Sequence, residues 1–147
     1  MSRPDLSVVV PMFNEQDNAA PLVREIVAAL RGRVAFEIVV VDDHSRDGTL
    51  AALRGLQSEV PELRVLHHRS QSGQSTAVRN GVKAAHAAWI ATLDGDGAYR
   101  KFKRPFRAVC WVGGGRASPV LGTDRTSVSG ISASRGHAAA LSAAMLR

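Results

Sequence analysis

The sequence predicts an α/β fold: a Rossmann-like parallel sheet in βαβαβαβ order over residues 1–97, followed by a poorly structured basic tail over 98–147. Three observations predict it. Short β-branched runs alternate with longer stretches of helical period as far as Asp94, the pattern of βαβ units. The apolar runs show no in-and-out alternation, as expected of strands covered on both faces. Both periods stop near Gly97, where the charge also changes sign. Residues 1–97 hold 12 acidic and 10 basic side chains, whereas residues 98–147 hold 1 acidic and 9 basic. The net charge of +6 therefore belongs to the tail.

Leu6–Pro11 reads as a buried strand. A helix should follow from about Asn18, with Pro21 in its first turn, an apolar stripe of Leu22, Val23, Ile26, Val27 and Leu30, and Gly32 at its end. Phe36–Val41 is the second strand. A second helix starts near Asp47 or Thr49, runs through Leu50, Leu53 and Leu56, and stops before Pro61. Leu63–Leu66 gives a third strand. Ala77, Val78, Gly81, Val82 and Ala85 recur at helical spacing, and Trp89–Leu93 makes a fourth strand ending in Asp94. Beyond it, Gly, Ser and Ala fill 19 of the 35 positions from 113 to 147. Loose or disordered structure is expected there, with a weak helix over His137–Leu146.

Composition narrows the function classes. A chain of 147 residues, 45% hydrophobic, suits one compact domain. The single cysteine, Cys110, excludes an internal disulfide or a cysteine-rich zinc site. No run approaches the roughly 20 apolar residues of a bilayer span, and the N-terminus is unlike a signal peptide. The expected location is cytoplasmic, or peripheral at the inner face of the membrane. Arg100, Lys101, Lys103, Arg104 and Arg107, interleaved with Tyr99, Phe102 and Phe106, have the charge and aromatics that RNA or anionic lipid uses. No nucleic-acid-binding module accompanies them, so no specific nucleic-acid partner is expected.

In an open α/β sheet, ligands bind outside the carboxyl ends of the strands. Three strands end in acid here: the first at Pro11-Met12-Phe13-Asn14-Glu15, the second at Asp42-Asp43-His44-Ser45, the fourth at Asp94-Gly95-Asp96-Gly97. A parallel sheet brings these segments to one edge. Clustered carboxylates repel unless a cation or donors lie between them. Magnesium or manganese suits the arrangement, because such ions take one or two carboxylates and complete their shell with substrate phosphate oxygens. The first turn lacks a Gly-x-Gly-x-x-Gly pattern, which excludes an NAD-type phosphate site. Asp47-Gly48-Thr49 reads as a turn and helix cap, Arg79 as a solvated helix side chain, and His67 and His68 as edge residues without acidic partners.

Val8-Val9-Val10-Pro11-Met12-Phe13-Asn14-Glu15, Val39 to Thr49 and Leu93-Asp94-Gly95-Asp96 together resemble family 2 glycosyltransferases of the GT-A fold, and within them the polyprenyl-phosphate sugar transferases such as dolichol-phosphate mannose synthases. Gly73 to Gly81 resembles the family's helix between the second and last acidic motifs. The resemblance covers about residues 6–97 and marks them as the nucleotide-sugar-binding half of such a domain. It implies that Pro11, Phe13 and Glu15 line the nucleotide pocket. Val41 and Asp43 would flank the base, Asp43 accepting a ring N–H with Asp42 in support. Asp94, Gly95 and Asp96 would face ribose and diphosphate, with Asp94 and Asp96 on Mg2+ or Mn2+.

The implied donor is a UDP- or GDP-sugar and the implied acceptor a polyprenyl phosphate. The family's acceptor-side base has no match beyond Gly97, and Ala98 stands where the family often has a metal-ligating Gln. The tail is expected to be a frame-shifted or otherwise replaced continuation, leaving a chain that binds nucleotide without useful turnover. Apolar surface normally covered by the missing half would favour a homo-oligomer. The alternative expectation is a non-catalytic nucleotide-binding remnant, or an RNA or membrane-surface binder driven by the tail.

Overall fold

The computed structural model describes residues 3–95, 111–113 and 116–118. Four strands, β1 (Leu6–Met12), β2 (Phe36–Asp42), β3 (Leu63–His67) and β4 (Trp89–Thr92), form one parallel sheet in the order β3-β2-β1-β4. Three helices connect them: α1 (Gln16–Leu30), α2 (Thr49–Leu56) and α3 (Gln74–Ala84). Every residue of β1 and β2 is buried, as the absence of alternation predicts for the two central strands.

The period of two along these strands divides the core. Leu6, Val8, Val10, Met12, Ile38 and Val40 join the α1 stripe of Leu22, Val23, Ile26 and Leu30 and the α2 residues Leu53 and Leu56 on one face. Val9, Val39, Val41 and Ile90 meet Ala77 of α3 on the other. Gly81, one turn after Ala77, lies so close to Val9 and Val41 that a Cβ there would overlap Val9. Small residues on that face let α3 lie directly on the sheet.

α1 begins at Gln16, two residues earlier than the sequence indicates, because the Glu15 carbonyl accepts from both Asn18 and Ala19 and starts the helix there. Pro21 consequently sits in the second turn rather than the first. The helix ends as expected, with Gly32 at φ +79° in the left-handed conformation that favours glycine.

At the amino edge of the sheet, buried Glu37 accepts from Ser7 Oγ (2.6 Å), Arg64 (2.8 Å) and the His86 amide, tying the turn before β4 to β1 and β2. Burial alone would raise its carboxyl pKa; the bonds from Ser7, His86 and Arg64, with the Arg64 charge, outweigh this and hold it below the ordinary value. A depressed folded pKa contributes stability above the ordinary value of 4.5, and that contribution is lost as pH falls through the folded pKa. Melting temperatures followed from neutral to acid pH should fall in this window, and less steeply in Glu37→Gln, whose amide does not titrate.

In the tail, β5 (Trp111–Gly113) and β6 (Arg116–Ser118) pair antiparallel, a ladder its Gly-, Ser- and Ala-rich composition does not predict. The Gly114-Gly115 dipeptide between them is a two-residue hairpin signal that outweighs composition locally. The expected helix at 137–146 and the basic cluster at 99–107 lie outside the described residues.

Candidate nucleotide site at the carboxyl edge of the sheet

β1, β2 and β3 follow one another to one side through α1 and α2, and the chain then crosses by α3 to place β4 on the far side of β1. The reversal makes the gap between β1 and β4 the topological switch point, where open α/β sheets bind ligands. Pro11 helps to open it. The Val9 carbonyl accepts from Leu93 on the β4 side, whereas the Met12 carbonyl accepts from Asp43 on the β2 side. Alternation therefore turns Pro11 towards β4, just past the last pair Val9↔Thr92, where a residue without an N–H ends the ladder.

The resulting crevice measures ≈ 320 Å³ and is lined by Pro11, Phe13, Glu15, Asp43, Asp94 and Gly95. These six come from three separate strand ends and are all residues the sequence singles out. Val41 and Asp42 are fully buried and do not line it. Val41 packs in the core beneath α3, and Asp42, one residue on, turns to the opposite face. Asp96 lies outside the described residues.

The first loop is held by the second. Asn14, at φ 52°, donates its N–H to Ser45 Oγ at 2.9 Å and accepts from Arg46 N–H on its Oδ1 at 2.8 Å. Glu15 N–H donates to Thr49 Oγ1 (2.8 Å) and Gln16 N–H to Asp47 Oδ2 (3.3 Å). Asp47 Oδ1 also accepts from Thr49 N–H (2.9 Å), at the start of α2. The Asp47-Gly48-Thr49 segment is thus more than a cap: it laces both loops together and so fixes Phe13 and Glu15 at the crevice. Phe13 is the one large apolar side chain exposed among the described residues.

Asp43 is 3% exposed and accepts from Ser72 N–H (2.8 Å), Gly73 N–H (2.8 Å) and His68 Nδ1 (2.7 Å). Burial would raise its pKa, but these donors outweigh burial and keep it below the ordinary value, so the group is an anion at neutral pH. Here the sequence reading needs correction. His67 and His68 do have acidic partners: the register sets Asp42 beside His67, with His67 Nδ1 2.7 Å from Asp42 Oδ2, and His68 follows onto Asp43. Strand register creates pairs that spacing along the chain does not display.

Met12, Gln71, Gly73 and Gln74 complete the lining. Gln74, in the first turn of α3, donates to Asp94 Oδ1 at 2.6 Å. Gly95, three residues past the end of β4, lies directly against the end of β1. A Cβ there would lie 2.5 Å from the Pro11 carbonyl oxygen and 2.7 Å from Met12 Cγ. Since backbone must shift to admit it, Gly95→Ala should cost about 1–3 kcal/mol, read as a lower melting temperature and a weakened site together.

Among the described residues no group of three or more His, Cys, Asp or Glu is arranged to hold a metal. Asp94 nonetheless fits a divalent ion: it is exposed at the rim and its second oxygen is bonded to nothing among the described residues. One carboxylate with substrate phosphate oxygens is a donor set that Mg2+ or Mn2+ accepts.

Comparison with known proteins bears on the family and the fold. The model of glycosyl transferase family 2 matches residues 7–103. The chain is 36% identical over 100 residues to a dolichol-phosphate mannosyltransferase of Mycosarcoma maydis, covering 65% of this chain and 34% of that protein. Among solved structures, the mannosyltransferase PcManGT from Pyrobaculum calidifontis, in complex with GDP-Man and Mn2+, is similar with a TM-score of 0.58 and 28% identity over 65% of this chain and 28% of that one. S. aureus TarS in complex with UDP is similar with a TM-score of 0.57 and 27% identity, over 63% and 27% respectively. The chain spans about a third of the length of the curated relatives it matches. With a parallel sheet whose strand ends converge on one crevice, and a family model matched along most of that sheet, this chain belongs to glycosyl transferase family 2.

Proposed function

We propose that residues 1–97 bind the nucleotide-sugar donor of a transferase that moves a sugar to an acceptor such as a polyprenyl phosphate, at the inner face of a membrane. The convergence of three strand ends on the switch-point crevice carries this reading. Asp43 accepts a ring N–H of the base, and Phe13 supplies an apolar surface beside it. Asp94, oriented by Gln74, would hold Mg2+ or Mn2+ together with substrate phosphate oxygens, with Asp96 as the second carboxylate that the motif offers. That ion, when bound, supplies positive charge to the departing diphosphate.

In the reaction an acceptor oxygen forms a bond to the anomeric carbon of the sugar as the bond to the diphosphate oxygen breaks. A hydroxyl acceptor must pass its proton to a base within hydrogen-bond reach, whereas the attacking oxygen of a phosphate monoester, whose second pKa is about 6, is already an anion at neutral pH. Residues 98–147 contain one side-chain carboxylate, Asp124. The relatives support the donor and acceptor classes through a GDP-Man complex, a UDP complex and a dolichol-phosphate transferase.

The test is calorimetric titration of the full chain with UDP and GDP, with magnesium and then with EDTA. Saturable, magnesium-dependent binding that tolerates salt supports the proposal. Binding that falls steeply with salt and disappears on truncation after Gly97 would instead identify the basic tail as the binder.

A further inference from the structure

We infer that this chain selects a nucleotide whose base presents a single N–H donor at its pairing edge, uracil rather than guanine with its N1–H and 2-amino pair, because Asp43 has one acceptor position left to give. The inference rests on the reading above, in which Asp43 faces the base. An ionised carboxylate accepts about four hydrogen bonds, two on each oxygen. Oδ1 of Asp43 already takes two, from Ser72 N–H and from His68 Nδ1. Oδ2 takes one, from Gly73 N–H. Among the described residues a single position is open, on Oδ2.

Guanine presents N1–H and its 2-amino group side by side, and a carboxylate grips that pair with both oxygens. Uracil presents N3–H alone, between two carbonyls. With Oδ1 filled, the second donor of guanine enters the crevice without its partner, and an unmet donor beside a buried anion forfeits the gain that would offset its lost water. Uracil asks for one acceptor and finds one.

His68 is the positioning residue that closes Oδ1. Two of the three donors are backbone amides, presented by a loop that turns at Gly73 with φ +89°. The third is the imidazole, the only one a side-chain substitution removes. A carboxylate that only accepts requires the Nδ1–H tautomer of His68. Its Nε2 is then the acceptor for Asn80 Nδ2 of α3, 2.9 Å away. The chain Asn80–His68–Asp43 therefore links α3 through the loop after β3 to the end of β2, and fixes which lone pairs of Asp43 reach the crevice.

The experiment measures binding of UDP, GDP and CDP to the full 147-residue chain with magnesium. The expected order is UDP tighter than GDP by about tenfold or more, the worth of one hydrogen bond to a charged group, with CDP, whose ring has no N–H, weaker than UDP. His68→Leu frees Oδ1 and should bring GDP close to UDP. His68→Asn, whose side-chain amide stands near the place of Nδ1–H, should restore the gap. Equal weakening of UDP and GDP in His68→Leu, or wild-type GDP binding as tight as UDP, overturns the inference while the nucleotide site itself stands. Absence of binding by every nucleotide overturns the proposed function and the inference with it. If His68→Leu does not fold, the wild-type ratio and the 15N shifts of His68 decide: the Nδ1–H tautomer is expected, and the Nε2–H tautomer contradicts it.

Discussion

Changing Asp94 and Asp96 together to Asn is expected to remove most of the magnesium-dependent part of nucleotide binding, by about 10- to 100-fold or more, with little effect on folding. The magnitude follows from the cost of disturbing even outer partners of a bound metal, which is of that order. The independence from folding follows from position. Asp94 is exposed beyond the end of β4, and its bond to Gln74 orients the carboxylate rather than supporting the core. Surface substitutions of this kind usually stay within about 0.5 kcal/mol. Calorimetry with and without EDTA, beside a thermal melt of the same sample, separates the two effects. A melting temperature that drops in step with affinity would assign these acids to the fold instead of the ligand.

Asp43→Ala should behave in the opposite way, losing stability and selectivity together. The substitution leaves the amides of Ser72 and Gly73 and the imidazole of His68 without an acceptor at a nearly closed position. Each unmet buried donor costs about 1–3 kcal/mol, so a loss of about 3 kcal/mol or more is expected even after the loop relaxes. What binding remains should no longer rank UDP above GDP. A variant as stable as the parent, with its ranking intact, would remove Asp43 from both roles.

Part of this site is legible in the sequence. Strand and helix order followed from hydrophobic periods that end in acid or glycine, and parallel pairing carried Pro11, Phe13, Glu15, Asp43, Asp94 and Gly95 to one edge without further information. Val41 and Asp42 share the second motif with Asp43, yet strict alternation buries the first under α3 and turns the second to the α1 face. The histidines were not legible, because Asp42 and His67 become neighbours only through the β2–β3 register, across 25 residues of chain. The role of Asp47 and Thr49 as ties between two loops was hidden in the same way. Their spacing announces a helix start; only the packing of β1 beside β2 shows that the first loop depends on it.

The central claim is that nucleotide binds at the carboxyl edge of the sheet, and amide chemical shifts of the 15N-labelled chain test it most directly. Addition of UDP with magnesium should move the signals of Met12–Glu15, Ser72–Gln74 and Asp94–Gly95 in one saturable process. Replacing magnesium with paramagnetic manganese should broaden those nearest Asp94 most. Shifts confined to residues 98–147, or none among the strand-end loops at saturating nucleotide, would contradict the account.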